Sequence, residues 1–418
     1  MAPGARGVDG PPGALPHTAP GKSAGALLGT GADRRAVVPG SRSGTNQAER
    51  LITVTVPLTP AWEQLSPRLR DVLDRRWLTN QGCYAEELTA QLQATLGTPA
   101  VSLVASGTLA LELMIQAALP PGEVIVPSFS FPATWNLLCR DARWTPVFVD
   151  VGEDYCLDPT AVQSAITSNT VGILGVHTYG RPCHPEALRE LAGAHGLRLL
   201  FDAAHAFGVE HRGRPLASFG DASAMSFHAT KIFNTIEGGA VLTHDPELCT
   251  AVDRARNFGF GGADGQESFG TNAKLDEFRA SFGLSVLPLV QDAIERRLAV
   301  AREYLVRLAA LEERGVVLPH GLFAGAERSA NGAYFPVRFP TGCGLEPEQV
   351  LAALAEVGVL ARRYFDDRPF RAELYRPFLR AEDTPRAAAY SRQVVCLPCH
   401  HELGQADLDL IVQTLTGL

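Results

Sequence analysis

The chain has 418 residues, 46% hydrophobic and 20% charged, with a mean hydropathy of +0.02. That is enough apolar material for a large core, so whole-chain disorder is excluded, and the length fits one large unit with a smaller annex. No apolar stretch reaches the roughly 18 residues of a membrane span, and 37 basic against 45 acidic residues, net −8, leave no basic footprint for nucleic acid.

Residues 1–50 crowd Gly and Pro, lack a hydrophobic period, and carry six basic against three acidic residues. They are expected to form a disordered extension. A secretory signal needs a longer apolar core than Ala26-Leu27-Leu28, and the glycines would break the Arg-rich helix of a transit peptide. Order is expected from Leu51. Apolar spacing of three and four from Trp62 to Leu73 predicts an amphipathic helix, Trp77–Gly82 a turn-rich break, and Ala85–Leu96 a second helix closed by Gly97.

From Val101 the period changes. Val101–Ala105 reads as a strand, and Ser106-Gly107-Thr108 opens a helix to about Leu119. Strands are expected at Glu123–Val126, Thr145–Val149, Val171–Val176, Leu197–Phe201, Ala222–Phe227 and Gly239–Thr243, with helices at Ala133–Cys139 and Pro185–His195 between them. Strands alternating with helices imply an α/β fold with a mostly parallel sheet sandwiched by helices, and ligands at the carboxyl ends of its strands. A long helical stretch, Asp276–Arg314, closes this layer. Strands at Ala333–Arg338 and Gln393–Leu397 and helices at Pro347–Glu356 and Gln405–Leu415 then suggest a smaller α/β domain, with the 60–75 helix packed beside it. The expected division is 1–50 extension, 51–320 large domain and 321–418 small domain.

The body of the chain contains two lysines, Lys231 and Lys274, and Lys22 lies in the extension; arginine supplies the remaining basic residues. Arginine is effectively never deprotonated, whereas a lysine amine can lose its proton and act as nucleophile or base. Ser106-Gly107-Thr108, between a strand and a helix, is either an ordinary N-cap or a phosphate seat on unpaired helix amides. Asp202 follows a buried strand and either caps the next turn or holds a cationic ring nitrogen. Ser226-Phe-His-Ala-Thr-Lys231 runs off the next strand into a loop, which brings Lys231 towards the same sheet edge. A phosphate seat, a carboxylate and an amine converging on one edge are what pyridoxal phosphate needs: an anchor, a partner that keeps the pyridine nitrogen protonated, and an amine to form an imine.

Two other patterns point elsewhere. Cys396-Leu-Pro-Cys399-His400-His401 has metal-like spacing but no second pair, and a structural role is expected, with no metal. Gly259-Phe-Gly261-Gly262-Ala-Asp-Gly265 lacks the full dinucleotide spacing and reads as a mobile loop. Eight scattered cysteines, in a chain with no recognisable signal peptide, are expected to be reduced and the protein cytoplasmic.

From about Val56 onward the chain resembles the DegT/DnrJ/StrS sugar aminotransferases, within the fold-type I (aspartate-aminotransferase-like) pyridoxal-phosphate enzymes. The resemblance is carried, in order, by Trp77–Gly82, Ser106–Thr108, Pro127–Thr134, Pro146–Asp150, His177–Gly180, Asp202–His205, Gly220-Asp221, Ser226–Lys231, Glu237–Gly239 and Thr271–Glu277. It implies that Lys231 is the Schiff-base lysine and Asp202 the partner of the pyridine nitrogen. Gly107, Thr108 and Ser226, beside Ser106, would bind the phosphate, and Phe131 would stack on the ring. His205, at a position often Gln in the family, would lie near the ring hydroxyl. Asn272 would reach the cofactor phosphate of a neighbouring subunit, which implies a homodimer with shared sites. Lys274 stands where the family often has Arg. The implied reaction is a two-half transamination in which L-glutamate gives its amino group to the cofactor and a nucleotide-linked keto sugar receives it. The form of the Lys231 loop resembles members that aminate C-4, so the expected acceptor is dTDP-4-keto-6-deoxyglucose. Alternatives are a C-3 keto-sugar enzyme, an L-glutamine:ketocyclitol aminotransferase, and a catalytically silent relative acting as a regulatory or binding protein. A dehydratase is excluded by Lys231, which those enzymes replace with histidine.

Overall fold

Short Val-, Ile- and Leu-rich runs bounded by turn residues make buried strands, and in a computed structural model seven of them join one sheet. The structure describes residues 51–262, 265–325 and 329–418; the expected extension, 1–50, lies outside the described residues. The strands are β1 (Ala100–Val104), β2 (Gly122–Pro127), β3 (Trp144–Val149), β4 (Thr170–Val176), β5 (Arg198–Asp202), β6 (Ala222–Ser226) and β7 (Gly239–Thr243). They lie in the order β1-β7-β6-β5-β4-β2-β3.

Neighbours from β6 through to β3 run parallel, and β7 runs antiparallel to both β6 and β1. The exception has a simple cause. No helix separates Ser226 from Gly239, so β7 lacks a crossover and can only return beside β6 in the opposite sense. Because β7 is flanked by antiparallel partners on both sides, β1 points the same way as β5 and β6. The segments after Val104, Val176, Asp202 and Ser226 therefore emerge along one edge.

Helices cover both faces. They are α1 (Trp62–Arg75), α2 (Cys83–Leu96), α3 (Gly107–Ala118), α4 (Ala133–Arg140), α5 (Pro159–Ala165), α6 (Pro185–His195) and α7 (Pro246–Ala255). Then follow α8 (Glu277–Val286) and α9 (Val290–Arg307). Leu199, Leu200 and Phe201 of β5 are wholly buried between these layers, each contributing roughly 1.5–3 kcal/mol relative to exposure. The helical stretch expected over 276–314 is interrupted at Leu287-Pro288-Leu289, a 3₁₀ turn that accommodates the proline's missing N–H. The helix expected near 60–75 is α1, and it packs on α8 rather than beside the C-terminal strands. In the C-terminal part, β8 (Phe335–Arg338) and β9 (Val394–Leu397) pair antiparallel, with α10 (Pro347–Glu356), α11 (Pro385–Gln393) and α12 (Gln405–Thr416) alongside. A separate cluster of buried side chains, including Tyr304, Phe335, Val395 and Ile411, fills this part.

Candidate active site

A cavity of about 410 Å³ opens at the carboxyl edge of the sheet. Ser106, Gly107, Thr108, Phe131, Asp202, His205, Ser226 and Lys231 all line it, so eight of the nine candidate residues come together. Asn272 does not line the cavity. It is exposed, and its side-chain oxygen accepts a hydrogen bond from Lys274 Nζ at 2.9 Å. Lys274 also lies 4.7 Å over the Phe258 ring, and partial burial lowers its pKa.

One wall is the start of α3. Ser106 caps this helix, its Oγ accepting the Leu109 N–H at 3.2 Å. The amides of Gly107 and Thr108 have no acceptor within the helix, as in any first turn, and they line the cavity. The turn needs glycine there: a Cβ on Gly107 would lie 2.6 Å from Ser226 Cβ and 2.9 Å from its Oγ. Backbone donors, the positive end of α3 and the Ser226 hydroxyl thus form a cradle for an anion of phosphate size. N-cap and phosphate seat coexist at this one turn.

Asp202 ends β5 and is buried. Its Oδ1 accepts the Ala204 N–H at 3.0 Å and its Oδ2 the Thr134 hydroxyl at 2.8 Å. Burial pushes this carboxyl above the usual range, against the pull of those two donors and of Lys231. Lys231 sits in the β6–β7 loop, which is pinned by the buried side chains of Ile232 and Phe233 and by Asn234 Nδ2 donating to Leu58 O at 2.9 Å. Burial lowers the Lys231 amine to about 8, even though the Asp202 charge raises it. A buried amine with this pKa is part neutral near physiological pH and can serve as nucleophile and base.

His205 is held neutral by burial, with the Lys231 charge acting in the same direction. Its Nδ1 accepts the Tyr179 N–H at 3.2 Å, which places the ring proton on Nε2. Phe131, more than half exposed, presents its ring at the mouth. Around the ring positions, this arrangement fits pyridoxal phosphate: an anion cradle, a buried carboxylate for a protonated ring nitrogen, and an amine for the aldehyde.

Tyr334 and Phe365, which the sequence did not single out, also line the cavity, together with Tyr364. The fold brings Tyr334 to Lys231 across 103 positions of chain, and no local spacing announces that. The Cys396–Cys399 pair lies elsewhere, its thiols directed at carbonyl oxygens of Tyr364 and Arg297, and burial pushes Cys399 up to about 12. The glycine-rich segment is partly outside the described residues; of what is described, Phe260 pairs with Gln266 in an isolated bridge.

Known proteins align with much of the chain. A dTDP-4-amino-4,6-dideoxy-D-glucose transaminase from Shigella dysenteriae is 34% identical over 368 residues, 88% of this chain and 99% of the relative. A dTDP-3-amino-3,4,6-trideoxy-alpha-D-glucose transaminase from Streptomyces venezuelae is 40% identical over 238 residues, 56% of this chain and 62% of the relative. The structure of DesI in the presence of its TDP-sugar product superposes with a TM-score of 0.81 at 36% identity, covering 87% of this chain and 92% of that one. The mostly parallel sheet flanked by helices is accordingly the pyridoxal-phosphate fold type I. Residues 62–416 match a single family description, and with Lys231, Asp202 and the α3 turn in one pyridoxal-phosphate-shaped cavity, the chain belongs to the DegT/DnrJ/EryC1/StrS aminotransferase family.

Proposed function

We propose that this chain transfers an amino group from L-glutamate to the C-4 ketone of a nucleotide-linked sugar, dTDP-4-keto-6-deoxyglucose. The observation that carries the reading is the Lys231 amine, lowered to about 8 by burial, in one cavity with Asp202 and the amino end of α3. The choice of C-4 is supported by relatives named for the 4-amino sugar, which align over 99% of their length.

Gly107, Thr108 and Ser226 would hold the phosphate of pyridoxal phosphate, Asp202 the ring nitrogen, Phe131 a ring face and Lys231 the aldehyde carbon, with His205 near the ring hydroxyl. The bound group supplies an electron sink. Lys231 Nζ, when neutral, would take the α-proton of the donor, and in the sugar half-reaction would return a proton to the carbon that receives the nitrogen. Asp202 stays fixed by Ala204 N–H and Thr134 Oγ1, so the charge facing the ring nitrogen does not wander. We assign the nucleotide to an adjoining cavity of about 340 Å³ that shares Phe131, Tyr364 and Phe365 and adds Arg363 and Arg368.

The reading extends to assembly and place. Exposed Asn272, outside the cavity of its own chain, is assigned to the cofactor phosphate of a second subunit in a homodimer. Residues 51–320 and 321–418 act as large and small domains, the latter supplying Tyr334, Tyr364 and Phe365. The eight free cysteines suit the reducing cytoplasm.

The test is a visible absorbance trace of protein loaded with pyridoxal phosphate. L-Glutamate is expected to bleach the band, and dTDP-4-keto-6-deoxyglucose to restore it. Bleaching with restoration only by a 3-keto sugar or a ketocyclitol would overturn the C-4 assignment, and absence of any band would overturn the cofactor.

A further inference from the structure

We infer that Tyr334 is a positioning residue for Lys231: its hydroxyl, oriented by His205, holds the lysine amine in the cavity whenever that amine is not covalently engaged.

Tyr334 Oη lies 3.3 Å from Lys231 Nζ and 3.3 Å from His205 Nε2. The direction of the second bond follows from the far side of the imidazole. Since the Tyr179 amide donates to Nδ1, the neutral ring carries its proton on Nε2 and donates it to Tyr334. One lone pair of the phenol oxygen is thereby taken, and the other accepts from Lys231 Nζ. The hydroxyl is pinned at one point by a donor whose tautomer is set by main chain. It cannot swing away without leaving the His205 N–H unmatched in a buried site.

The main chain that carries Tyr334 is fixed to the same histidine. Asn331 is buried, and its Nδ2 donates to the carbonyls of His205 at 2.8 Å and Phe207 at 2.9 Å, while its Oδ1 accepts the Ala333 N–H at 3.0 Å. Gly332, at φ +63°, completes this turn; a Cβ there would lie 2.6 Å from Arg297 Cβ. The ring itself is wedged between His205, Tyr179 and Tyr364, with centroids 4.7, 5.6 and 5.6 Å away. The turn, the ring and the hydroxyl thus each have a separate restraint.

The consequence rests on the transamination reading; the geometry does not. A lysine released from the cofactor has a long flexible stem and several rotamers, and a parking acceptor keeps its nitrogen aimed into the cavity. Asp202 and His205 face Lys231 there, with His228 and Glu237 on the wall, and Arg297 of α9 and Cys396 of β9 influence Tyr334 from behind. A protonated amine gains more from the phenol oxygen than a neutral one does, because the bond is charge-assisted.

The experiment compares wild type, Tyr334→Phe and Tyr304→Phe. The control Tyr304 is a buried tyrosine outside the cavity whose hydroxyl donates to Pro398 O at 3.0 Å. The whole apo chain is labelled with trace acetic anhydride from about pH 6 to about pH 10, and acetylation of Lys231 is read by mass spectrometry. In Tyr334→Phe the Lys231 midpoint is expected to fall by about half a pH unit or more, and in Tyr304→Phe to stay. In the loaded enzyme the glutamate half-reaction is expected to slow about tenfold or more at saturating donor, with KM within about twofold. A labelling midpoint in Tyr334→Phe that coincides with wild type overturns the inference, as does a raised KM for glutamate at an unchanged midpoint. Wild-type protein that gains no visible band with pyridoxal phosphate would end the transamination reading, while the labelling comparison would still decide whether Tyr334 holds the amine.

Discussion

An activated lysine has a stability signature that can be measured without substrate. Burial lowers Lys231 from an ordinary 10.5 to about 8. The unfolded chain therefore binds more protons than the folded one between those values, and this group makes the protein more stable as pH rises through that window. At about 1.36 kcal/mol per pH unit the penalty below pH 8 is about 3 kcal/mol, of which about 2 kcal/mol is relieved by about pH 9.5. Lys231→Met keeps an unbranched apolar stem and removes the titration. Urea denaturation of the apo forms, followed by tryptophan fluorescence at about pH 7 and about pH 9.5, should show the stability difference between variant and wild type moving by about 2 kcal/mol in favour of wild type as pH rises. Titrating groups outside the cavity are common to both proteins and cancel in that difference. Asp202 loses its partner in the variant, so the absolute gain at pH 7 is smaller than the full penalty. A difference that does not move with pH would refute the buried, lowered amine, and with it the argument that Lys231 is poised as a base.

Three further changes probe the surroundings. Lys231→Arg should keep the fold and lose at least about 10⁴-fold in turnover, because a guanidinium near its usual pKa is almost never neutral; turnover near wild type would remove Lys231 from the mechanism. Gly107→Ala puts a Cβ 2.6 Å from Ser226 Cβ, so titration of the visible band should show pyridoxal phosphate bound at least about tenfold more weakly, and unchanged affinity would move the phosphate elsewhere. Thr134→Val removes the donor 2.8 Å from Asp202 Oδ2; it should cost about 1–3 kcal/mol in urea unfolding and raise the Asp202 pKa further.

The sheet and its ligand-bearing edge were legible because β1, β4, β5 and β6 are short stretches of mostly small or apolar residues with polar residues at or within two positions of their carboxyl ends, as at Phe201-Asp202 and Ser226–Lys231. Lys231 stood out by chemistry, in a body with one other lysine, Lys274, and arginine elsewhere. Helices α5 and α7 were not expected, although Asp158-Pro159 and Asp245-Pro246 are N-cap and N1 signals; α7 is as long as the expected α10, so the cue that went unused is the cap and not the length. The antiparallel sense of β7 depends on what the intervening loop lacks, and a pattern of strands does not reveal it. Tyr334 and Asn331 were invisible for a different reason. Their partners, Lys231 and His205, lie more than 100 residues earlier, so only the folded chain brings them together.

The polar groups of the cavity share one physical device. Asp202 and His205 are buried and Lys231 is partly so, and burial alone would neutralise or misdirect each. Each is instead set by a fixed partner whose place the sheet edge dictates: Asp202 by the Ala204 amide, His205 by the Tyr179 amide, and Lys231 by a phenol whose turn is tied to the His205 and Phe207 carbonyls. Two of these three determinants are backbone amides, which no side-chain rotamer change can withdraw. Substitutions at the titrating residues therefore remove chemistry while leaving their partners in place, whereas a shift of the turns after β4 or β5 would alter the state of several groups together. Damage to this site should accordingly come in two kinds, and the pH dependence of Lys231 labelling separates them: loss of a neighbouring group moves the midpoint, whereas displacement of a turn also changes the labelling rate on the high-pH plateau.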